Sequence, residues 1–541
     1  MRFRVPRGLL LIYILFLVLD AVADCTDIVV GKKVSRDGSV ITSQTGCCTE
    51  CRVHVVPALT FKSGTQAPVY WGIQDVKKPF GPPYGQILGY IPQVEKTYAY
   101  FHTGYPHMNE YQLAIGETTL SQRDELKPFQ GRSRSHQPAL GKQMMTIEQA
   151  QLIALQRCKT AREAIKLIAD LVDRYGFLPS AGQCGSEGLC IADPNEAWVL
   201  EVLSVGPDWD PKIGNLGAIW AAQRVPDDHI LIMPNWSIIK EIHLDSPDFM
   251  ASKNYMQFAI DRGWYDPASG KPFIWQDVYA PKPEPGRVSR MWLFYRTFAP
   301  SYKKWPEKER CLPSDFPFSV HPERKLSVQD VIAFQRSTYE GTGYDMADSP
   351  RWNVPDGKGG TVKSSLATPF PTIPMQKLLD IPWNSPVADG GYGMVAQLRS
   401  WLPDPIGGIY WFYLDNQYVS TYVPIYAGVK RLSPLYMTYD IDRYSNDSAR
   451  WAIDFAENLL YLNWQEAMGD LRAVRDPLEA DFFATQPAIE TEMQALYKIS
   501  PERVKDFLTD LTILRMEKVV KMYHDLRDLL ISKYTNNNLL R

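Results

Sequence analysis

The stretch from Ala21 to Arg52 constrains this chain more than any other. Arg2, Arg4 and Arg7 precede an apolar run from Leu9 to Leu19, and Ala21-Val22-Ala23 then offers the small residues a signal peptidase reads. The run falls short of the roughly 20 apolar residues a spanning helix needs. Cys25 follows almost at once, and after it a β-branched strand pattern through Val30, an Asp37-Gly38 turn and a second strand pattern from Val40. If the chain is cut just before Cys25, one residue at the end of a rigid strand carries both a thiol and a free α-amine. A thiol attacks as thiolate, with a pKa of about 8.5, and needs a base. An α-amine, with a pKa of roughly 7.7–8.0, can be that base. A cut after Ala23 leaves Asp24 in front of the thiol, so the amine requires either a second cleavage or a first cut one residue later.

The rest of the composition limits the alternatives. At 541 residues, with 45% hydrophobic and 22% charged residues, the chain is globular and long enough for more than one domain. A net charge of −3 without a dense Lys/Arg patch argues against nucleic acid as a partner. No second apolar run is long enough to span a bilayer, so no stable membrane insertion is expected once the leader is gone. Cys25 set aside, seven cysteines remain, an odd number. Cys184 and Cys190 could close a short loop. Cys47-Cys48-x-x-Cys51 has a zinc-like spacing but no second knuckle, and disulfides are the expected use in an oxidising compartment. The eight histidines show no H-E-x-x-H spacing, and neither a G-x-S-x-G elbow nor a phosphate loop is present. No metal or organic cofactor is expected.

Strand patterns alternate with helix patterns. Residues 25–60 read as strands, with short strands at 96–101 and 113–115. Thr146-x-x-Gln149 and Thr160-x-x-Glu163 are capping boxes that open two helices, the second stopping at Gly176. Strands resume at 189–192 and 197–202 around an Asp193–Glu196 turn, then at 218–222, 390–398 and 406–414. The Pro- and aromatic-rich segment 266–318 reads as a long surface excursion, stiffest at Pro281–Gly286. From about 441 the pattern is helical, with Ser500-Pro501 as an N-cap and first-turn proline. The expected division is a leader at 1–24, a layered α/β catalytic domain at 25–440 and a C-terminal helical region at 441–541.

Cys25-Thr26, Val29-Val30-Gly31-Lys32 and Asp37-Gly38-Ser39 open an ordered set of segments. Met108–Tyr111, Ile191–Trp198, Tyr339–Thr342, Gln397–Gly408 and Val423–Gly428 continue it along most of the chain. The set resembles the dipeptidase/secernin family of N-terminal nucleophile (Ntn) hydrolases. The resemblance implies an αββα Ntn-hydrolase sandwich with Cys25 as nucleophile. It places Asn109 where related hydrolases have an asparagine beside the nucleophile, and Asn235 where they have an oxyanion donor. Asn235 is also the acceptor of an Asn-Trp-Ser glycosylation pattern, and a buried catalytic amide cannot carry a glycan. Asn446-Asp447-Ser448 is the other such pattern. Glu50 and Arg52 stand where relatives often have an acid and an arginine near the end of the second strand, placed to orient the amine and bind a substrate carboxylate, and Arg290 is a further substrate-binding candidate. Gln44-Thr45-Gly46-Cys47 departs from the Asn-x-Asp of many relatives.

The expected activity is a secreted or endolysosomal cysteine-type hydrolase that cleaves amide bonds of dipeptides or small peptides through an acyl-enzyme. Two alternatives stand beside it. One is an N-acyl amide hydrolase of the same fold; the other is a secreted binding protein that keeps the fold without catalysis. Homo-oligomerisation is left open.

Overall fold

The structure, a computed structural model, describes residues 25–46, 51–71, 85–127, 142–180, 185–281, 288–302, 307–384, 386–388 and 390–535. Its first strand, β1 (Thr26–Val30), is buried at every position. β1 pairs antiparallel with β2 (Val40–Gly46) on one side and with Ile230–Pro234 on the other. Both neighbours belong to a six-stranded sheet in the order 230–234, 26–30, 40–46, 392–398, 409–414, 423–426. The Asp37-Gly38 turn forms, with Gly38 at φ 88° and Asp37 Oδ1 accepting the Ser39 amide at 3.1 Å. It lies within the longer connection 31–39. Gly31 is required there because a Cβ would stand 2.3 Å from the Asp227 carbonyl oxygen.

A second sheet has eight strands in the order 249–251, 219–225, 197–203, 186–192, 114–120, 108–109, 100–102, 54–56. Its middle strands face β1 and β2 across the core. Both central strands are covered on two sides, which explains their almost unbroken burial. The helices α1 (Ile147–Arg157) and α2 (Ala161–Tyr175) lie beside the eight-stranded sheet, α2 packing along 186–192, 197–203 and 219–225. Helices at Ser289–Phe298 and Val328–Gln335 pack on the six-stranded sheet. The result is helix, sheet, sheet, helix, an α/β fold with a helical C-terminal region.

Local signals meet tertiary competition in α1. The Thr160 capping box forms, but Thr146 makes no cap bond. Its partner in the expected box, Gln149, instead accepts the Tyr70 amide at 2.9 Å. Asp193 does two jobs. One oxygen closes the expected turn on the Asn195 and Glu196 amides at 2.7 and 3.2 Å, and the other holds the first amide of α2 at 2.9 Å.

One expectation changes. The segment 266–318 is no surface excursion, because Trp275, Tyr279, Trp292, Phe294 and Tyr295 are all buried. Large aromatic side chains carry too much apolar area to leave in water. Residues 282–287, the stiffest part of that segment, lie outside the described residues. Cys190 is a free thiol in mid-strand, its residue paired on both sides at Gly116 and Val199. Cys184, Cys47 and Cys48 lie outside the described residues.

The helices Ala449–Leu460, Trp464–Tyr497 and Pro501–Tyr534 are built into the sandwich rather than set apart from it. Trp411 stacks on Phe483 with ring centroids 4.1 Å apart. The Arg336 fork grips Glu479 at 2.9 and 2.6 Å. Arg399, within the Gln397–Gly408 segment, pairs with Glu490 at 2.7 Å and holds the carbonyls of Gly407 and Ile406.

Candidate active site

Cys25 stands immediately before β1 and is 2% exposed. The register explains its neighbours. Thr26 lies opposite Pro234 on one side and Thr45 on the other, which brings Asn235 and Gly46 to the level of Cys25. Gly46 in turn lies opposite Tyr392. Several strand ends therefore meet at one end of the six-stranded sheet, with the thiol among them.

Arg290 organises this end. It sits in the first turn of the Ser289–Phe298 helix and is 3% exposed. One guanidinium nitrogen donates to the Cys25 carbonyl and to Thr26 Oγ1, each at 2.6 Å. The other donates to Asn235 Oδ1 at 2.8 Å. Asn235 then donates through Nδ2 to Thr118 Oγ1 at 3.2 Å and to the Thr119 carbonyl at 3.0 Å. The chain Cys25–Arg290–Asn235–Thr118 thus ties Cys25 across both sheets. A guanidinium suits this place because its rigid fork can serve several acceptors at once.

Each expected site residue among the described ones now has a position. Cys25, Asn235 and Arg290 are brought together. Arg290 was expected to bind substrate, but the bonds just described engage its fork in positioning Cys25 and Asn235. Asn235 is held at both ends of its amide, and Ser237 of its glycosylation pattern is buried with its hydroxyl on Glu201 at 2.5 Å. This geometry favours a site residue over a glycan carrier.

Asn109 is held by bonds of its own, on the eight-stranded sheet. Its Nδ2 donates to the carbonyls of Leu155 and Cys158, both at 2.8 Å, and its Oδ1 accepts the amides of Tyr111 and Leu113. These four bonds clamp the end of α1. Arg52 is buried beside His54 and His102, on the paired strands 54–56 and 100–102. Burial first, and the Arg52 charge after it, hold the His54 imidazole down to about 4. Glu50 lies outside the described residues. Gln44, in the segment that departs from the resemblance, bridges the sheets. Its Oε1 meets His107 Nε2 at 3.0 Å and the Glu117 amide at 3.0 Å. Burial keeps His107 neutral, pushed down to about 3.

Thr118 and Thr119 were not visible in the sequence as site residues. Only the register between the sheets reveals them. Among the described residues no group of three or more His, Cys, Asp or Glu side chains is arranged to hold a metal ion. Among them, too, no helix is long and apolar enough to cross a membrane.

The profile of Peptidase family C69 matches residues 24–476, which takes in both sheets and begins one residue before Cys25. This chain belongs to peptidase family C69. Relatives of this C69 chain agree along its length. A protein named probable dipeptidase from Latilactobacillus sakei is 23% identical over 494 residues, covering 87% of this chain and 89% of the relative. A dipeptidase from Bifidobacterium longum is 25% identical over 456 residues, covering 79% and 75%. Probable dipeptidase B from Streptococcus pyogenes serotype M1 is 21% identical over 542 residues, covering 99% and 98%. The C69 match and these names together support a peptide-hydrolase function.

Proposed function

We propose that this C69 chain hydrolyses dipeptides and other small peptides by cysteine acyl transfer, with Cys25 as the N-terminal nucleophile of the mature protein. The observation that carries this reading is the place of Cys25: at the end of a rigid central strand, its carbonyl held by Arg290 and Asn235 beside it. In the reaction the α-amine takes the thiol proton as the sulfur attacks the scissile carbonyl carbon. The ammonium then protonates the leaving amine as the C–N bond breaks, leaving a thioester. Water attacks the thioester with the amine as base, and the acid and free thiol are released. Asn235 is the proposed oxyanion donor. Its 3.2 Å bond to Thr118 Oγ1, the longer of the two it donates, is the one an oxyanion would replace. Glu50 and Arg52 are the groups proposed to orient the amine and bind a substrate carboxylate.

The leader at 1–24 supports a secreted or endolysosomal location. Asn446 is the proposed glycan site; its side chain is exposed, while Oδ1 accepts from Tyr444 and Arg527.

A panel of dipeptides, matched N-acyl amides and C-terminally amidated dipeptides, each with and without chelator, tests the reading. Dipeptides with free carboxylates should turn over fastest, and chelator should change nothing. Preference for acyl amides would move the assignment to an N-acyl amide hydrolase. No turnover of any of them by protein with a correctly processed Cys25 would favour a non-catalytic binding protein.

A further inference from the structure

Asp27 has no part in the reaction above, yet it lies two positions along β1 from Cys25. Side chains alternate across a strand, so the two point to the same face, about 7 Å apart at Cα. That face looks onto the eight-stranded sheet. A Cβ at Gly116 would stand 3.1 Å from Asp27 Cγ and Oδ2, so a glycine is what lets the carboxyl fit. Asp27 is wholly buried, and neither oxygen has a hydrogen-bond partner of ordinary geometry. Among the described residues no Lys, Arg or His pairs with it. The Cys190 thiol approaches it, and burial pushes its carboxyl well above the usual carboxylate range.

A carboxyl in the middle of a core strand without a partner is a large cost to the fold. Thr or Val would serve a strand better at this position. What the site lacks is a positive charge, and cleavage before Cys25 creates one on the adjoining rung. We propose that Asp27 is a positioning residue for the N-terminal amine, the buried counter-group that holds the Cys25 α-amine near its own thiol. The proposal rests on the N-terminal-nucleophile reading above.

The other charged and titratable groups that face this pocket are identifiable. Cys190 comes from strand 186–192 and Glu117 from strand 114–120, with Glu187 coupled to Glu117 behind it. Glu201 lies near Cys190 on the next strand, and Arg290 comes from the helix at the strand end. All but Arg290 are acids, so none of them supplies the missing cation to Asp27. A carboxylate at this range raises the amine by about one to two pKa units at an effective dielectric near 20. The amine must be neutral to take the thiol proton, so the acid limb of kcat/KM follows its pKa.

The test compares the pH profile of kcat/KM and the melting temperature of full-length processed protein carrying Asp27→Asn or Asp27→Ser with those of the parent. The expected result is a protein still folded at the assay temperature, a kcat about tenfold lower and an acid limb about one pH unit lower. Asp27→Ser provides the same readout if Asp27→Asn does not fold. An unchanged pH profile would overturn the proposal, and so would a loss of activity that merely tracks a lowered Tm. A failure here is separable from failure of the wider reading. If Cys25→Ala is inactive while Asp27→Asn matches the parent, only the role of Asp27 falls.

Discussion

Cys25→Ala should fold like the parent chain and lose turnover by about 10⁴-fold or more, as removal of a nucleophile does. The substitution deletes one sulfur at a position just ahead of β1, so the strand pairings at Thr26–Pro234 and Thr26–Thr45 keep their hydrogen bonds. Cys25→Ser should also fold and should stay far slower than the parent. Its hydroxyl ionises at a much higher pH, and attack follows the ionised fraction. Single-turnover kinetics on an activated dipeptide ester checks both variants. The parent should accumulate a thioester, and neither variant should. A Cys25→Ala protein with parental turnover would end the account and turn attention to Cys184.

Arg290→Ala should damage both fold and activity. It strands three acceptors at once: the Cys25 carbonyl, Thr26 Oγ1 and Asn235 Oδ1. Leaving buried groups without a partner costs about 1–3 kcal/mol each, so a stability loss on the order of 3 kcal/mol is expected after partial relaxation. Activity should fall further than stability explains, by about 10²–10³-fold in kcat, because the nucleophile and the proposed oxyanion donor both lose their fixed positions. Arg290→Lys should fall between, since one ammonium cannot reproduce a fork that serves three acceptors. Asn235→Ala should lose kcat to a similar degree with a smaller change in Tm. Calorimetry beside steady-state kinetics separates the two effects. Parental kcat in Arg290→Ala at a temperature where it is fully folded would remove Arg290 from the site.

The central strands and the thiol at their end were legible in the sequence because they depend on local signals. β1 and β2 announce themselves by β-branched residues around an Asp-Gly turn. Arg290 was legible as a residue but not as a positioning group, since its bond to Cys25 joins residues 265 apart and requires a helix to dock at a strand end. Thr118 was invisible for the same reason. The bonds of Asn109 were not legible, because an asparagine after a short strand looks alike whether it serves a substrate or clamps a helix end. Only the structure shows its four hydrogen bonds at the end of α1. The 266–318 segment misled because proline breaks every periodic pattern. The aromatic density of that segment was the better guide, since Trp275 and Tyr295 had to be buried somewhere.

The central claim is that one residue supplies both thiol and amine. N-terminal sequencing of purified, catalytically active protein tests it most directly. The account predicts a mature chain that begins with Cys25. Fully active material that still begins at Asp24 or Met1 would contradict it, because no free α-amine would then stand on the nucleophile.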